Sequence, residues 1–375
     1  MRRGDSTRSS RRGAVRGGTL LYIVCVLAML LCLPLLRGHI LASRHDMERL
    51  RPVQTLGVDR QGGGVTVSVS TGSSPDEQTP IVMRADAAGV EEAITRLQDY
   101  TPEDELFYAH VKYILLGETL SYEGVTPLLR WVERSPAMRM DTALFIVKGR
   151  ADDAVTGSSD GESDVTGRLS SLVREEMSRG ERIYTLREVA SSLAERGFAL
   201  CLAVRAADAD GVDYTGGGDG AAAIVPDGYA VIADGALTAF LTADESLGAA
   251  LVNGDVTGRH AASDGCAFEL LESDVEADSV YDGDGALAAI VLRGEVRAGI
   301  LARNDEAADD TALGHILAAM AADRVAKAAA RAQALSCDYL GLTDNPGGDI
   351  AGWEDVPVRV EITGLIDRSY DLYSS

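Results

Sequence analysis

Cysteine, histidine and tryptophan are all scarce in this chain of 375 residues. It has five cysteines, five histidines and two tryptophans. Cys25 and Cys32 lie in an apolar N-terminal segment, which leaves Cys201, Cys266 and Cys337, an odd and sparse set that excludes a disulfide framework. The absence of C-x-x-C and H-E-x-x-H motifs excludes a zinc site of the usual spacing. We therefore expect a fold that rests on its hydrophobic core, without a metal or a cofactor.

Basic residues are few compared with acidic ones. The chain has 35 Lys and Arg against 58 Asp and Glu, a net charge of −23. The first 36 residues carry six arginines and one acid, so the remainder has 29 basic and 57 acidic residues and a net charge near −28. Such a surface repels nucleic acid and anionic lipid headgroups. We interpret it as a solvated surface and expect no nucleic-acid partner.

Long apolar runs are also absent, with one exception at residues 19–36. These 18 residues carry no charge and span ~27 Å as a helix, close to the hydrocarbon thickness of a bilayer. The arginine-rich tail at residues 1–18 predicts a cytoplasmic N-terminus and an external remainder. A cleaved signal peptide is disfavoured because the run exceeds the usual ~7–15 residues and residues 40–42 form a poor cleavage site.

Two further export signals fit the sequence less well than this single-pass anchor. Arg11 and Arg12 could belong to a twin-arginine signal, but paired arginines also occur by chance in an Arg-rich tail. A lipoprotein would need a cysteine after a small residue, whereas Cys25 and Cys32 follow large apolar residues. The sequence thus predicts a membrane anchor at residues 19–36.

Hydrophobic periodicity after the anchor predicts an α+β ectodomain of three units. Residues 37–203 open with a β-hairpin at 53–70 and continue with alternating helices and strands. Residues 204–262 show short strands and turns typical of a small β-rich domain. Residues 263–375 combine further strands with an Ala-rich helix of about thirty residues, near 306–335, so we expect a second α+β unit there.

Three motifs that could carry chemistry lack the context that each requires. Residues 157–161 match the hydrolase pattern G-x-S-x-G around Ser159, but they lie in an acidic loop without the buried strand and helix of a nucleophile elbow. Residues 216–221 resemble a dinucleotide fingerprint without a preceding apolar strand. The aspartates at 208–219 lack the spacing of an EF-hand. We therefore expect no catalytic residue and no enzymatic activity.

One stretch is distinctive as a family pattern. Residues 109–155 (AHVKYILLGETLSYEGVTPLLRWVERSPAMRMDTALFIVKGRADDAV) resemble the Ger(x)C family, the C subunits of spore germinant receptors. The matching positions there are His110, Lys112, Gly117, Glu118, Arg134, Pro136, Arg139, Lys148, Gly149 and Ala151, while Ser135 replaces the usual acid. Upstream the pattern continues at Asp46, Leu50, Gly57 and Asp59, and downstream at residues 244–254 and at Cys337, Asp338, Gly341 and Trp353.

The resemblance implies a non-enzymatic subunit on the outer face of the spore inner membrane. Its implied partners are a multi-spanning transporter-like subunit and a second membrane subunit, beside which it would act in docking, assembly or signalling. Family members are typically lipoproteins held by an acylated cysteine, whereas this chain offers a protein anchor. Positions on the family pattern are expected to be structural or partner-binding.

Two other classes of function stay open from the residues alone. An anchored extracytoplasmic solute-binding protein predicts a deep, largely preformed pocket with a few convergent polar groups. An anchored hydrolase predicts that Ser159 reacts with serine-directed probes.

Overall fold

The structure is a computed structural model that describes residue 26 and residues 50–71, 81–101, 105–156, 165–207, 223–303, 309–343 and 352–367. The predicted anchor (apart from Val26), Asp46, Ser159 and the Gly/Asp-rich segment at 208–220 lie outside these residues. Within the described part, no helix is both long and apolar enough to cross a membrane. Contacts divide the chain into residues 1–50 and residues 51–375, and the second unit holds the fold presented below.

The described residues form fourteen strands and eight α-helices beyond residue 49. The strands are β1 (Leu50–Pro52), β2 (Thr55–Gln61), β3 (Gly64–Ser70), β4 (Val82–Ala87), β5 (Glu105–Phe107), β6 (Tyr113–Gly117), β7 (Ala143–Lys148), β8 (Phe198–Ala207), β9 (Ala223–Ala233), β10 (Ala236–Phe240), β11 (Arg259–Ser263), β12 (Cys266–Tyr281), β13 (Leu287–Ala302) and β14 (Val358–Ile366). The helices are α1 (Val90–Asp99), α2 (Glu118–Glu123), α3 (Thr126–Arg134), α4 (Ala151–Thr156), α5 (Val165–Ser178), α6 (Leu186–Arg196), α7 (Ala243–Asn253) and α8 (Asp310–Ala334). Short 3-10 turns occupy Tyr108–His110 and Trp353–Asp355.

An eight-stranded mixed sheet dominates the first half of the fold. Its strand order is β10-β9-β8-β7-β6-β2-β3-β4, and β2, β6, β7 and β8 run parallel to their neighbours within this group. Ile114, Leu115 and Leu116 on β6 are fully buried, as expected for a strand covered by helices on both faces. The predicted hairpin is confirmed as β2 and β3, which pair from Thr55 with Ser70 to Gln61 with Gly64.

A four-stranded sheet of order β11-β12-β13-β14 forms the second half. The long hairpin of β12 and β13 is antiparallel, whereas β14 pairs with β13 in parallel. The predicted Ala-rich helix is present as α8, whose first turn is capped because the Asp309 side chain accepts from the Ala312 N–H at 2.8 Å. This helix packs along β14 and against α7.

The segment at residues 204–262 is divided between the two sheets. The strands β9 and β10 extend the first sheet, because β8 and β9 pair antiparallel from Phe198 with Ala233 to Ala207 with Ala223. By contrast, α7 packs on α8, and β11 pairs with β12. One continuous cluster of buried apolar side chains joins the inner face of the first sheet to the second sheet. The division of the ectodomain into three units stays a prediction.

Candidate functional site: two edges of the parallel strands

Four family-pattern residues meet at the edge where the parallel strands end. Asp59 lies near the end of β2, Gly117 ends β6, Glu118 begins α2, and Gly149 follows β7. Because β2, β6 and β7 are parallel neighbours, their carboxyl ends lie side by side. We call this group, together with Asp152, the carboxyl-edge cluster.

The Asp59 carboxylate caps the short helix α4 from a different strand. Its two oxygens accept the N–H groups of Ala151 at 2.9 Å and Asp152 at 2.6 Å. The first N–H groups of a helix have no partner inside the helix, so an acceptor here satisfies them. Asp59 is only 3% exposed, and this burial raises the pKa of its carboxyl against the opposing effect of the two N–H groups and of Arg150.

The Asp152 carboxylate, at the start of α4, continues the cluster towards the surface. It accepts the Ser68 hydroxyl at 2.5 Å and the Arg84 guanidinium at 3.0 Å, with Arg150 at 3.5 Å. The Asp152 side chain is 4% exposed, whereas those of Arg84 and Arg150 are 51% and 40% exposed. A buried carboxylate thus has two solvated cations over it, which meets the requirement that a buried charge be paired.

Two glycines allow the close approach of these elements. A Cβ atom on Gly117 would lie 1.9 Å from the Asp59 Oδ1, and one on Gly57 would lie 2.9 Å from a Val155 methyl group of α4. Gly149 has φ +102°, a backbone conformation that favours glycine. Its N–H donates to the Glu118 carboxylate at 2.9 Å while its carbonyl accepts the Glu118 N–H at 2.8 Å. Packing therefore explains Gly57 and Gly117, and the backbone conformation explains Gly149.

The carboxyl-edge cluster lies at the place where an open α/β sheet usually binds ligands. In such folds the ligand lies outside the carboxyl ends of the strands, with its anionic group at a helix N-terminus. Here the carboxylate of Asp59 occupies the equivalent position and takes the N–H groups of α4. The polar groups of the carboxyl-edge cluster therefore hold β2, β6 and α4 together.

Four other family-pattern side chains, those of His110, Lys112, Arg134 and Arg139, lie towards the opposite edge and are exposed. His110 ends the 3-10 turn before β6, and its ring contacts that of Phe107 with centroids 5.3 Å apart. The Lys112 N–H donates to the Gln54 carbonyl at 2.8 Å, and its carbonyl accepts the Ala143 N–H at 3.0 Å, so only its side chain reaches solvent. These contacts place His110 and Lys112 at the amino ends of β2, β6 and β7.

Arg134 and Arg139 lie on the connection from α3 to the same edge. Thr142, just before β7, has its hydroxyl within hydrogen-bond distance of the carbonyls of Arg139, 2.9 Å, and Val111, 3.0 Å. The Arg139 guanidinium pairs with the Asp141 carboxylate, which lowers the pKa of Asp141. Among the described residues no ion pair is found for Lys112 or Arg134. We call His110, Lys112, Arg134 and Arg139 the amino-edge group.

Trp353 belongs to neither edge. It is 2% exposed, lies in the 3-10 turn before β14, and its carbonyl accepts the Gln333 side chain of α8 at 3.0 Å. It therefore anchors the C-terminal strand to the long helix.

One buried polar group was missed by the sequence reasoning. Arg259 on β11 has a side chain that is 2% exposed and donates to the Glu181 carboxylate, to the Tyr229 hydroxyl at 2.9 Å and to the Gly180 carbonyl at 3.3 Å. Tyr229 lies on β9 of the first sheet, so this contact joins the two sheets. In a strand of alternating polarity, the sequence does not distinguish a buried arginine from a solvent-exposed one.

Comparison with known proteins adds two findings. Residues 43–204 match the family described as the spore germination protein N-terminal domain. The fold is similar to the crystal structure of the GerBC protein, with a TM-score of 0.50 and 17% sequence identity over 83% of this chain and 96% of that one. At this identity the likeness shows the fold. No curated protein sequence matches the chain.

Proposed function

We propose that this chain is a member of the Ger(x)C family and the C subunit of a nutrient germinant receptor, because its residues 43–204 match the spore germination protein N-terminal domain. The observation that carries this proposal is the family match, which covers both edges of the parallel strands described above. The subunit acts in docking, assembly or signalling and carries out no catalysis.

In this proposal residues 19–36 anchor the protein in the spore inner membrane, with the ectodomain on the outer face. A tether raises the effective concentration of the ectodomain beside membrane partners and strengthens weak contacts. The partners are the multi-spanning transporter-like subunit and the second membrane subunit of the receptor. The acidic ectodomain has no nucleic-acid partner, and no cofactor takes part.

The two edges have different roles in this proposal. Asp59, Gly117, Glu118 and Gly149 support the fold, because their polar atoms or their lack of a Cβ serve contacts inside the protein. The amino-edge group presents charged side chains to solvent from a rigid sheet edge, and exposed charges guide the choice and orientation of a partner. We assign partner binding to this group.

A germination assay tests the proposal. Spores that lack the gene are expected to keep their refractility on single nutrients and to germinate normally with a nutrient-independent trigger. A strain with Lys112→Ala and Arg134→Ala should share part of this defect, whereas Arg174→Ala, an exposed arginine on α5, should behave as wild type. Normal germination of the deletion strain on every nutrient, without a redundant gene copy, would contradict the proposal.

The solute-binding alternative makes a different prediction. Two of the best-formed cavities, of about 670 and 640 Å³, are lined by residues of α8 with β14 and of α1 with β4, and neither includes a family-pattern residue. Isothermal titration with single nutrients should therefore show no binding to the purified ectodomain. Submicromolar binding of one nutrient would favour the alternative.

The hydrolase alternative depends on Ser159, which lies outside the described residues. Ser159→Ala should leave germination intact under our proposal. A folded Ser159→Ala protein that fails to restore germination would favour hydrolysis.

A further inference from the structure

Among the described residues, β14 is the last strand of the second sheet, and β13 is the only strand that pairs with it. Its residues alternate between half-buried and exposed, and not one of its nine residues is fully buried. The neighbouring strand β13, by contrast, buries Ile290, Val291 and Leu292 in succession. An unpaired strand of this kind is a template for the addition of another strand.

The register with β13 shows which backbone groups of β14 point outward. Ile290 lies opposite Val358, and the Ile290 N–H donates to the Pro357 carbonyl at 3.1 Å. In a parallel ladder the backbone N–H and C=O groups of every second residue point to the same neighbouring strand. Because Pro357 bonds to β13, residues 359, 361, 363 and 365 do so as well. The Asp367 N–H donates to the Ala298 carbonyl of β13 at 2.9 Å, so the odd-numbered residues face β13 at this end of the strand too. The outward-pointing N–H and C=O groups are those of Val358, Val360, Ile362, Gly364 and Ile366.

A groove of about 670 Å³ runs beside the last residues of this edge. Its walls are the first turns of α8, including Gly314 and Ala318, and the β14 residues Ile362, Gly364 and Ile366. The helix approaches the strand closely, because a Cβ atom on Gly364 would lie 2.2 Å from the Gly314 carbonyl oxygen. The groove beside this close contact has room for a large apolar side chain that is carried by an added strand.

A second copy of the chain does not fit this edge in an antiparallel pair. The helix α8 follows the full length of β14, from Gly314 beside Gly364 to Gln333, whose side chain donates to the Val356 carbonyl at 2.7 Å. Paired strands lie about 4.8 Å apart, whereas packed helices need ~8–10 Å between their axes. Two copies joined antiparallel through β14 would have both α8 helices on one face of the sheet and too close together, so the occupant that fits is a strand without a covering helix.

The charge beside this edge indicates the chemistry of the occupant. Glu361 is paired with Arg293 at 2.8 Å. Arg359 is exposed on the same face of β14, and within the described ranges no ion pair is found for it. An added strand therefore gains a complementary contact if it presents an acidic side chain beside Arg359.

We propose that an extended segment of another receptor subunit adds to β14 as a fifth strand of this sheet. The segment carries an acidic residue beside Arg359 and, five positions away along its chain, a large apolar residue opposite Gly364 that enters the groove. Backbone hydrogen bonds supply the affinity and these two side chains supply the selectivity, as in other strand-addition complexes. The inference deepens the proposed function and rests on it.

Residue-resolved hydrogen exchange tests the inference on the full-length protein, alone and in a receptor purified with its partner subunits. In the assembled receptor the amides of Val360, Ile362 and Gly364 should exchange about 100-fold more slowly than in the protein alone. The inward-pointing amides of Arg359 and Glu361 should be protected in both and are the internal control. Outward amides that exchange equally fast in the two samples overturn the inference, and failure of the partners to co-purify with the wild type refutes the proposed function as well.

A pair of variants separates loss of the edge from loss of the fold. Val360→Pro removes an outward N–H without removing a bond to β13, so the amount of co-purified partner should fall about 10-fold while the melting temperature stays near that of the wild type. Val360→Thr keeps the N–H and should bind partners normally. A photo-crosslinker at Thr363 should label a partner subunit in spores, and labelling of a second copy or of lipid would overturn the inference.

Discussion

The contact between Gly117 and Asp59 provides a sharp test of how the carboxyl-edge cluster is held together. Gly117 has φ −66° and ψ 151°, a conformation that alanine adopts without strain. An alanine at this position would therefore be excluded only by its surroundings. Its Cβ would lie 1.9 Å from the Asp59 Oδ1, 3.0 Å from the Asp59 Cγ and 3.4 Å from the Ala151 nitrogen.

The expected magnitudes follow from these distances. In Gly117→Ala the carboxylate must move by more than about 1 Å to reach ordinary van der Waals separation, which weakens its bonds to Ala151 and Asp152. We expect a loss of ~2–4 kcal/mol from overpacking and from the weakened hydrogen bonds. Asp59→Ala leaves two N–H donors without their acceptor and should cost about 2–5 kcal/mol.

The double variant should not show the sum of these losses. Once Asp59 is alanine, the nearest remaining contact to a Cβ at position 117 is the Ala151 nitrogen at 3.4 Å, an ordinary distance. Adding Gly117→Ala in that background should be neutral or should stabilise by ~0.4–1 kcal/mol, because alanine restricts the unfolded chain. The effect of the same substitution thus changes sign between the two backgrounds.

Urea unfolding of the four proteins, followed by circular dichroism, measures this coupling. Gly63→Ala is a matched control, because nothing lies within 4 Å of a Cβ there and its φ is not positive. We expect a coupling free energy of about 2–5 kcal/mol, the difference between the effects of Gly117→Ala in the two backgrounds. Effects of Gly117→Ala and Asp59→Ala that add within ~0.5 kcal/mol would refute the conclusion that the carboxylate requires a glycine beside it.

Two further predictions concern buried charges. Burial raises the pKa of Glu176 despite its ion pair with Arg179, so the folded protein binds this proton more tightly than the unfolded chain and loses stability as the pH rises above about 4.5. Glu176→Gln should be at least as stable as wild type at pH 7. In urea titrations the difference in the free energy of unfolding between the two proteins should shrink as the pH falls, and a difference that grows would contradict the raised pKa of Glu176. Arg259→Leu leaves Glu181 without its buried partner and should cost about 3 kcal/mol, against under ~1 kcal/mol for Arg297→Leu, whose ion pairs with Glu272 and Glu295 are exposed; equal losses in thermal melts would refute a special role for Arg259.

Local structure could be predicted from the sequence where a single face is buried. The apolar spacing of Val90, Ala93, Ile94 and Leu97 predicts a helix, and α1 covers Val90–Asp99 with Ala93 and Leu97 buried. The helix α6 likewise begins at a local signal, because Thr185 and Glu188 form a capping box of the type S/T-x-x-E. These features depend on neighbours within a few residues, which a pattern in the sequence displays directly.

Long-range pairing could not be predicted in the same way. Asp59 and Gly117 are far apart in the chain, and their contact depends on the parallel pairing of β2 with β6. Likewise, β9 pairs with β8 in the first sheet. The alternation of apolar residues predicts a strand there but does not show which strand it pairs with. The burial of Arg259 depends on a meeting of two sheets. In each case the decisive partner is set by the tertiary fold.

The two edges of the parallel strands explain why a fold of this kind suits partner binding. A crevice at the carboxyl ends would need free N–H groups to hold an anionic ligand, but Asp59 has taken those of α4, and Asp152 has taken the nearby guanidinium groups. Because these N–H and guanidinium groups already bond to carboxylates of the protein, the edge is stiff and offers a small molecule few hydrogen-bond donors. A stiff sheet presents exposed side chains with little loss of conformational freedom on binding, and this supports the partner binding that we propose for the amino-edge group.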